Sequence, residues 1–362
     1  MKTDDQFSVM VDRIIGQYMI RFNRLDQLIP YAYEGSKSHA VNLYVDMYSF
    51  YKTIFSRSFR TNTDDYLMMT SALVNLCSFY RSYFFRLQVY PKIFLISSFN
   101  VPDYNTKMVA GYNKTMVDKL TNSKVHEMVE LNIGLVETLV EYLKDVHFIS
   151  TSFESSVLIR HMILDEMKRG NYNPNIILSK DPYPLQLVAE FPGTTLLRPK
   201  KVEGDDISEI VYPIENKFHL RSFWNFVAAR NPNLRIDAAK INISPINLPL
   251  FCALSQFPER NIKAITNATI ANDLIYSIVG DQCIKLDLDT LYNTSEYMQQ
   301  IPQSKLESRY RVLDASGFQF NLFESSTEPT LINLNNLSNP EAITMINATY
   351  FQKEPLNLQY LT

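Results

Sequence analysis

Glycine is scarce, with 9 residues in a chain of 362. Phosphate cradles made of backbone N–H groups need glycine, and neither a G-x-x-x-x-G-K-[ST] nor a G-x-G-x-x-G pattern occurs. Charge of one sign is lacking too. The chain has 35 Lys and Arg against 38 Asp and Glu, a net charge of −3. No global field therefore draws it to nucleic acid or an anionic membrane, and any phosphate contact must come from a local patch. The few cysteines, Cys77, Cys252 and Cys283, lie far apart without C-x-x-C spacing. They read as buried thiols in a reducing compartment. His39, His126, His147, His161 and His219 share no metal-ligand spacing. Long apolar runs are missing: "YPKIFLISSF" is too short to span a bilayer, and the opening "MKTDDQFSVMVDRIIGQYMIRFNRLDQL" carries charges throughout. Neither a signal peptide nor a transmembrane helix is expected.

What is present is an ordinary globular composition, 46% hydrophobic and 20% charged, enough to bury a sizeable core. Residues 4–30 carry a helical apolar period up to Pro30. "YEGSKSHA" reads as a linker, and "VNLYV" as a strand after which Asp46 opens a helix. "DDYLMMTSALVNLCSFYRSYFFRLQ" reads as a long helix packed into a core, and "KIFLISSF" as a buried strand. A helix is expected over about 122–145, and another over "SFESSVLIRHMILDEMKRG", with Ser152 as N-cap and Gly170 as stop. "PNIILSKD" and "GTTLLRP" read as strands, residues 215–283 as helical and more basic, and 284–362 as loops, short strands and short helices.

Strands alternating with helices predict a parallel α/β sheet, in which ligands sit beyond the carboxyl ends of the strands. Asp46 and Asp181 are both expected there. Two such carboxylates suit a divalent metal, and they equally suit helix caps. Basic residues cluster after the last strand, at Arg198, Lys200 and Lys201, and then at Lys217, Arg221, Arg230, Arg235 and Lys240. They suit phosphate contacts or a solvated face.

Five pieces in order resemble the flap endonuclease or 5′-nuclease family of the PIN-like superfamily, the bacteriophage members most. "LYVDMYSFYKTIF" looks like the family's first strand and aromatic helix, with Asp46 in the metal-ligand position. "IFLISSF" puts Ser97 and Ser98 where a second Asp is usual. "MVAGYNKTM" keeps Tyr112 and Lys114 of a basic helix. "FESSVLI" keeps Glu154, while Ser156 and Val157 replace two aspartates. "SKDPYPLQL" keeps Ser179, Asp181, Gln186 and Leu187, with Tyr183 for the second aspartate. "ALSQFPERNI" matches the length of the helix–three-turn–helix signature and keeps Ala253, Leu254, Asn261 and Ile262. Gln256 replaces its glycine, Glu259 its serine, and Phe257 and Arg260 its two acids.

The resemblance implies an α/β, PIN-like parallel sheet flanked by helices over 39–214. A helix–three-turn–helix-like subdomain would follow over 215–283, with a helical extension at 1–38 and an irregular one at 284–362. The family hydrolyses phosphodiesters with two divalent ions about 4 Å apart. Here Asp46, Glu154 and Asp181 remain as the implied catalytic and metal-binding carboxylates, enough for at most one Mg²⁺ or Mn²⁺. The implied nucleic-acid contacts are Lys107, Tyr112, Lys114, Arg198, Lys200, Lys201, Arg221, Arg230, Arg260 and Lys263. The expectation is a catalytically degenerate homologue of viral origin, intracellular or virion-associated. It would bind DNA through the helical subdomain or join an assembly through the N-terminal helix and C-terminal extension, with no membrane role. The alternatives are a weakly active metal-dependent 5′-nuclease, and a virion interaction protein without a nucleic-acid role.

Overall fold

The computed structural model describes residues 40–55, 65–98, 108–112, 123–151, 153–202, 205–211, 241–257 and 260–316. The expected helix over 4–30, its linker, and the basic stretch around Trp224 lie outside them.

The first strand decides the layering. In β1 (Ala40–Asp46, AVNLYVD), alternate residues face opposite sides of the sheet. Val41, Leu43 and Val45 pack into one core, and Tyr44 packs into the other. The first core is closed by α1 (Met47–Phe55), α2 (Asp65–Arg86) and, after β2 (Tyr90–Ser97), α3 (Ser123–Val140). The aromatic and Met stripe of α2, with Met69, Tyr80, Tyr83 and Phe84, is buried there as core.

The second face is covered by later elements. After β3 (Val146–Ser150) come α4 (Ser155–Lys168), β4 (Asn175–Leu178), α5 (Leu185–Glu190), β5 (Thr194–Val202) and β6 (Asp205–Val211). Then α6 (Leu248–Ser255), α7 (Ala268–Val279), α8 (Leu288–Thr294), α9 (Glu296–Gln299) and α10 (Gln303–Leu313) complete the described part. Side chains from α4 through α10 share one core with Tyr44, Ile96 and Ile177. Among the described residues, no helix is long and apolar enough to cross a membrane.

The sheet order is β3-β2-β1-β4-β5-β6, parallel throughout except for the antiparallel β5–β6 pair. This is the parallel sheet flanked by helices expected from the sequence, with helices α6 and α7 following. From β1 the chain runs outward through β2 and β3, then returns to place β4 on the other side of β1. The order reverses at β1 and β4, which puts a crevice beyond their carboxyl ends. The register sets Val45 opposite Leu178, so Asp46 and Ser179 leave the sheet side by side.

Two expectations change. Strands β3 and β6 were not foreseen. Among the described residues, VHFIS is a five-residue edge strand and DDISEIV an acidic edge strand whose sheet neighbour is β5. Residues 288–313 form three short helices whose Leu291, Met298, Leu306 and Val312 are buried in the second core. Helix α4 begins at Ser155 with Glu154 as N-cap, so Ser152 does not cap it. The Glu154 carbonyl accepts the Val157 N–H at 2.9 Å, while its side chain makes no capping bond.

A buried polar knot ties the three helices of the first core. Tyr51 donates to Asn132 Oδ1 at 2.5 Å, and Asn132 Nδ2 donates to Thr70 Oγ1 at 2.7 Å and to the Tyr66 carbonyl at 3.3 Å. Truncating Asn132 leaves the Tyr51 hydroxyl without this acceptor, so Asn132→Ala is expected to cost about 2–3 kcal/mol. Urea unfolding should show a lower midpoint at unchanged slope, and combination with Tyr51→Phe should be less than additive.

Candidate functional site

Three carboxylates from distant parts of the sequence meet in the crevice. Asp46 ends β1, Glu154 precedes α4, and Asp181 lies in the turn after β4. All three are buried. Ser179 Oγ donates to Asp46 Oδ2 at 2.7 Å and accepts the Asp181 N–H at 3.1 Å, so one hydroxyl links the first and third. Asp181 Oδ1 accepts the Tyr183 N–H at 3.0 Å. That bond closes a local turn and caps no helix, since α5 (Leu185–Glu190) has Pro184 as its N-cap without a side-chain bond, and the other oxygen faces the crevice.

What joins the carboxylates is Arg260. Its Nη2 lies 2.7 Å from Asp181 Oδ2 and 3.0 Å from Glu154 Oε2, and its Nε donates to Glu154 Oε1 at 3.2 Å. The side chain is 2% exposed. Its guanidinium carbon lies 5.0 Å from the ring centroid of Tyr48, 5.8 Å from Phe257 and 6.0 Å from Tyr183, within the range of cation–π attraction. Burial opposes the charge, but the carboxylates of Asp181 and Glu154 outweigh it and hold the guanidinium well above its ordinary pKa. Tyr112 completes the first ring of contacts, donating its hydroxyl to Glu154 Oε1 at 2.6 Å. Burial and then the Glu154 charge push that phenol well up, so it stays a donor.

Two short turns deliver these groups. Phe257 and Ile262 exchange backbone bonds of 2.9 and 3.0 Å, and the Arg260 N–H returns to the Phe257 carbonyl at 3.0 Å. This loop, just after α6, turns Arg260 inward. Asn261, in the left-handed region at φ 56°, donates from Nδ2 to the Gly111 carbonyl at 2.8 Å. The loop is thereby fastened to the turn that carries Tyr112. Gly111 has φ +75°, and a Cβ there would meet Asn261 Nδ2 at 3.1 Å, so the glycine is required on both counts.

The expectations for individual residues divide. Asp46, Glu154 and Asp181 are brought together. Arg260, expected at a nucleic-acid surface, is instead buried as an ion-pair partner of Glu154 and Asp181. Tyr112, also expected to meet nucleic acid, is buried on Glu154. Lys263 is exposed and Arg198 half-buried. Lys200 and Lys201 lie on β5, with side chains outside the described set. Lys107, Lys114, Arg221 and Arg230 lie outside the described residues. The sequence reading missed the pairing role of Arg260. Its signal was a charge reversal at an acidic position of the resembled motif.

A divalent ion, which the resemblance implies, does not fit this arrangement. Glu154 and Asp181 are already engaged by a fixed cation, and Ser179 holds one oxygen of Asp46. Among the described residues, no group of three or more His, Cys, Asp or Glu side chains is arranged to hold a metal.

No family model and no curated protein matches the sequence. Similar solved structures include a flap endonuclease of bacteriophage T5, as a pseudo-enzyme variant in a product complex with DNA and metal ions. It is 10% identical, with a TM-score of 0.44, over 76% of this chain and 89% of that one. The same phage's protein co-crystallised with metal ions gives 10%, 0.46, 76% and 89%. A mutant of its 5′-exonuclease gives 10%, 0.39, 76% and 88%.

Charge and strain at the site each generate an expectation. Burial pushes the Asp46 carboxyl up to about 6; the Ser179 hydrogen bond opposes this and the Asp181 charge adds to it. An unfolded aspartate titrates near 4 (~3.9). Between the two values the folded protein holds a proton that the unfolded chain has lost. Stability from this group is therefore full below about 4 and is lost as pH rises through about 6. Asp46→Asn should accordingly gain on the order of 2 kcal/mol at pH ~8 and nothing at pH ~4, read as the pH dependence of the Tm difference from wild type. Gln256 closes α6 at φ 135°, ψ 159°, a region essentially reserved for glycine and costly for other residues. Gln256→Gly should stabilise by about 1 kcal/mol, after the entropic cost of glycine, and raise the denaturant midpoint.

Proposed function

We propose that this chain is a catalytically degenerate homologue of the flap endonucleases, acting as a non-hydrolytic nucleic-acid-binding or assembly subunit. One observation carries the reading. At the mouth of the parallel sheet, where the resembled enzymes collect carboxylates around metal ions, a buried arginine of this chain is bonded to Glu154 and Asp181.

The chemistry supports it. Phosphodiester hydrolysis by metal ions needs a Lewis acid that can bind the attacking water and the developing phosphate charge. A guanidinium coordinates no water as a nucleophile, does not give up a proton at neutral pH, and here has its donors aimed at carboxylates. Tyr183 and Phe257, which replace two of the acids, are buried and narrow the cavity around Arg260. The exposed Lys263, on the loop that carries Arg260, is the described residue of this region best placed to meet phosphate. Such a contact would be salt-dependent.

The test uses one labelled 5′-flap duplex for both readings. With Mg²⁺ or Mn²⁺ no cleavage above background is expected, while the flap DNA is bound with an affinity that falls with salt and is reduced about tenfold or less by Lys263→Glu. Metal-dependent cleavage that disappears in Asp181→Ala would overturn the reading and make the protein an enzyme. An absence of both cleavage and DNA binding would leave the assembly role.

A further inference from the structure

We propose that helix α10 carries a phosphate-binding ridge: Lys305 and Arg309, continued by Lys263 on the neighbouring loop, grip the sugar–phosphate backbone of duplex nucleic acid. The inference rests on the reading of this chain as nucleic-acid-binding and deepens it. It places contacts on a helix beyond the stretch that resembles the flap endonucleases.

Helix α10 has two faces. Leu306, Val312 and Leu313 are buried in the second core. Lys305 and Arg309 are four residues apart, so they are neighbours on one side of the helix, about 6 Å along its axis. Lys305 is exposed and Arg309 half-buried. Arg309 leans onto the loop after α6, where its Nη1 donates to the Lys263 carbonyl at 2.6 Å. That bond brings the exposed Lys263 to the same edge of the protein. Tyr297 of α9 adjoins. Its ring is 40% exposed, and its hydroxyl donates at 3.1 Å to Oγ1 of Thr266, three residues on from Lys263.

What points to a ligand is missing countercharge. Arg160, Arg169, Arg260 and Arg311 each pair with a carboxylate. Among the described residues, Lys263, Lys305 and Arg309 do not. The acids of α10 and of its end are engaged elsewhere: Glu307 is bonded to Arg311, and Asp314 to Lys285 and Ser316. Arginine has five N–H donors. One of Arg309's goes to a carbonyl, and burial holds its pKa below the ordinary guanidinium value with no carboxylate to offset it. Such a cation has lost hydration without gaining an ion pair. A phosphate would supply both the opposite charge and the paired acceptors that a guanidinium fits. With a net charge of −3 the attraction stays local to this ridge. An anionic membrane is the poorer occupant, because an interfacial helix inserts its apolar side chains and those of α10 are spent on the core. Contacts to the backbone carry no base readout, so the binding is independent of sequence.

The test titrates the full-length protein against a labelled 5′-flap duplex, a blunt duplex of unrelated sequence and phosphatidylserine vesicles, over a range of salt concentrations. Lys305→Gln and Arg309→Gln should each weaken both duplexes about two- to tenfold, and each should lower the steepness of log K against log salt by about 0.9. Arg309→Lys keeps the charge and should keep most of the wild-type steepness. Arg311→Gln removes a cation of the same helix that is already paired, and should change the steepness far less. Lys305→Gln should unfold at the wild-type temperature, which secures the test if Arg309→Gln disturbs the loop. If wild type binds duplex and both glutamine variants keep its steepness, the inference fails and the nucleic-acid reading stands. An equal loss in Arg311→Gln would mean general charge rather than a ridge, and would overturn the inference alone. Vesicle binding tighter than duplex binding and weakened by the same variants would give the ridge to a membrane, again overturning it. If wild type binds neither duplex, the nucleic-acid reading fails and the inference with it.

Discussion

The ion pair of Arg260 with Glu154 and Asp181 constrains the rest of the described structure. Each member is buried, and none could be left there alone. An isolated charge in such surroundings costs several kcal/mol in lost hydration, and removing one partner from a buried pair typically costs about 3–5 kcal/mol. The pair is thus better viewed as an obligation than as a gain. Apolar replacement of a whole buried ion-pair set is often no less stable, but once two members are present the third must be held against them. Much of the surrounding detail serves that requirement. Tyr112 takes a lone pair of Glu154, Ser179 positions both Asp46 and the Asp181 backbone, and Asn261 secures the loop that points the arginine inward.

The sheet supplies the place. Reversal of strand order at β1 and β4 leaves their carboxyl ends uncovered by a crossover, so residues leaving these strands enter a shared crevice. Period-two alternation turns Asp46 to the face of Tyr44, toward α4 and α6, and away from the aromatic core under α2. Helix α4 then starts with Glu154. Its backbone begins the helix while its side chain is drawn off to Arg260 and Tyr112, which explains an acidic N-cap that makes no capping bond. The later helices close the same space. Tyr183 donates to the Val312 carbonyl at 3.2 Å, and Gln186 bonds to Leu313 and Ala315 backbone atoms, so the end of α10 seals the turn after β4.

Much of this was legible in the sequence where local chemistry and tertiary use agree. A β-branched, alternating VNLYV followed by an aromatic amphipathic run gave β1 and α1 with Asp46 between them, and glycine at 170 gave the end of α4 at φ +79°. The meeting of Asp46 and Asp181 was expected from their places at strand ends, whereas Glu154 joined them only through the family resemblance. Legibility failed where a residue's role depends on direction across the fold. VHFIS is a short strand decided by β2, far earlier in the chain, and DDISEIV is an acidic strand decided by its pairing with the β5 that directly precedes it. Arg260 reads locally as one more basic residue in a basic, helical region. Only the loop geometry shows that it points to carboxylates more than seventy positions away, and no propensity encodes that.

The loop that accomplishes this holds a backbone that its sequence does not favour. Where the resembled motif has glycine, this chain has Gln256, still at φ 135°. The adjacent bridge between Phe257 and Ile262 explains why the conformation persists. With Phe257 and Ile262 buried and paired, and Arg260 between them bound at its far end, relaxing residue 256 would shift the whole loop and pull the guanidinium off its carboxylates. A strain of order 1–3 kcal/mol is smaller than the penalty for leaving those charges apart. The backbone therefore holds the shape of a loop suited to glycine, while its side chains Phe257 and Arg260 fill the crevice.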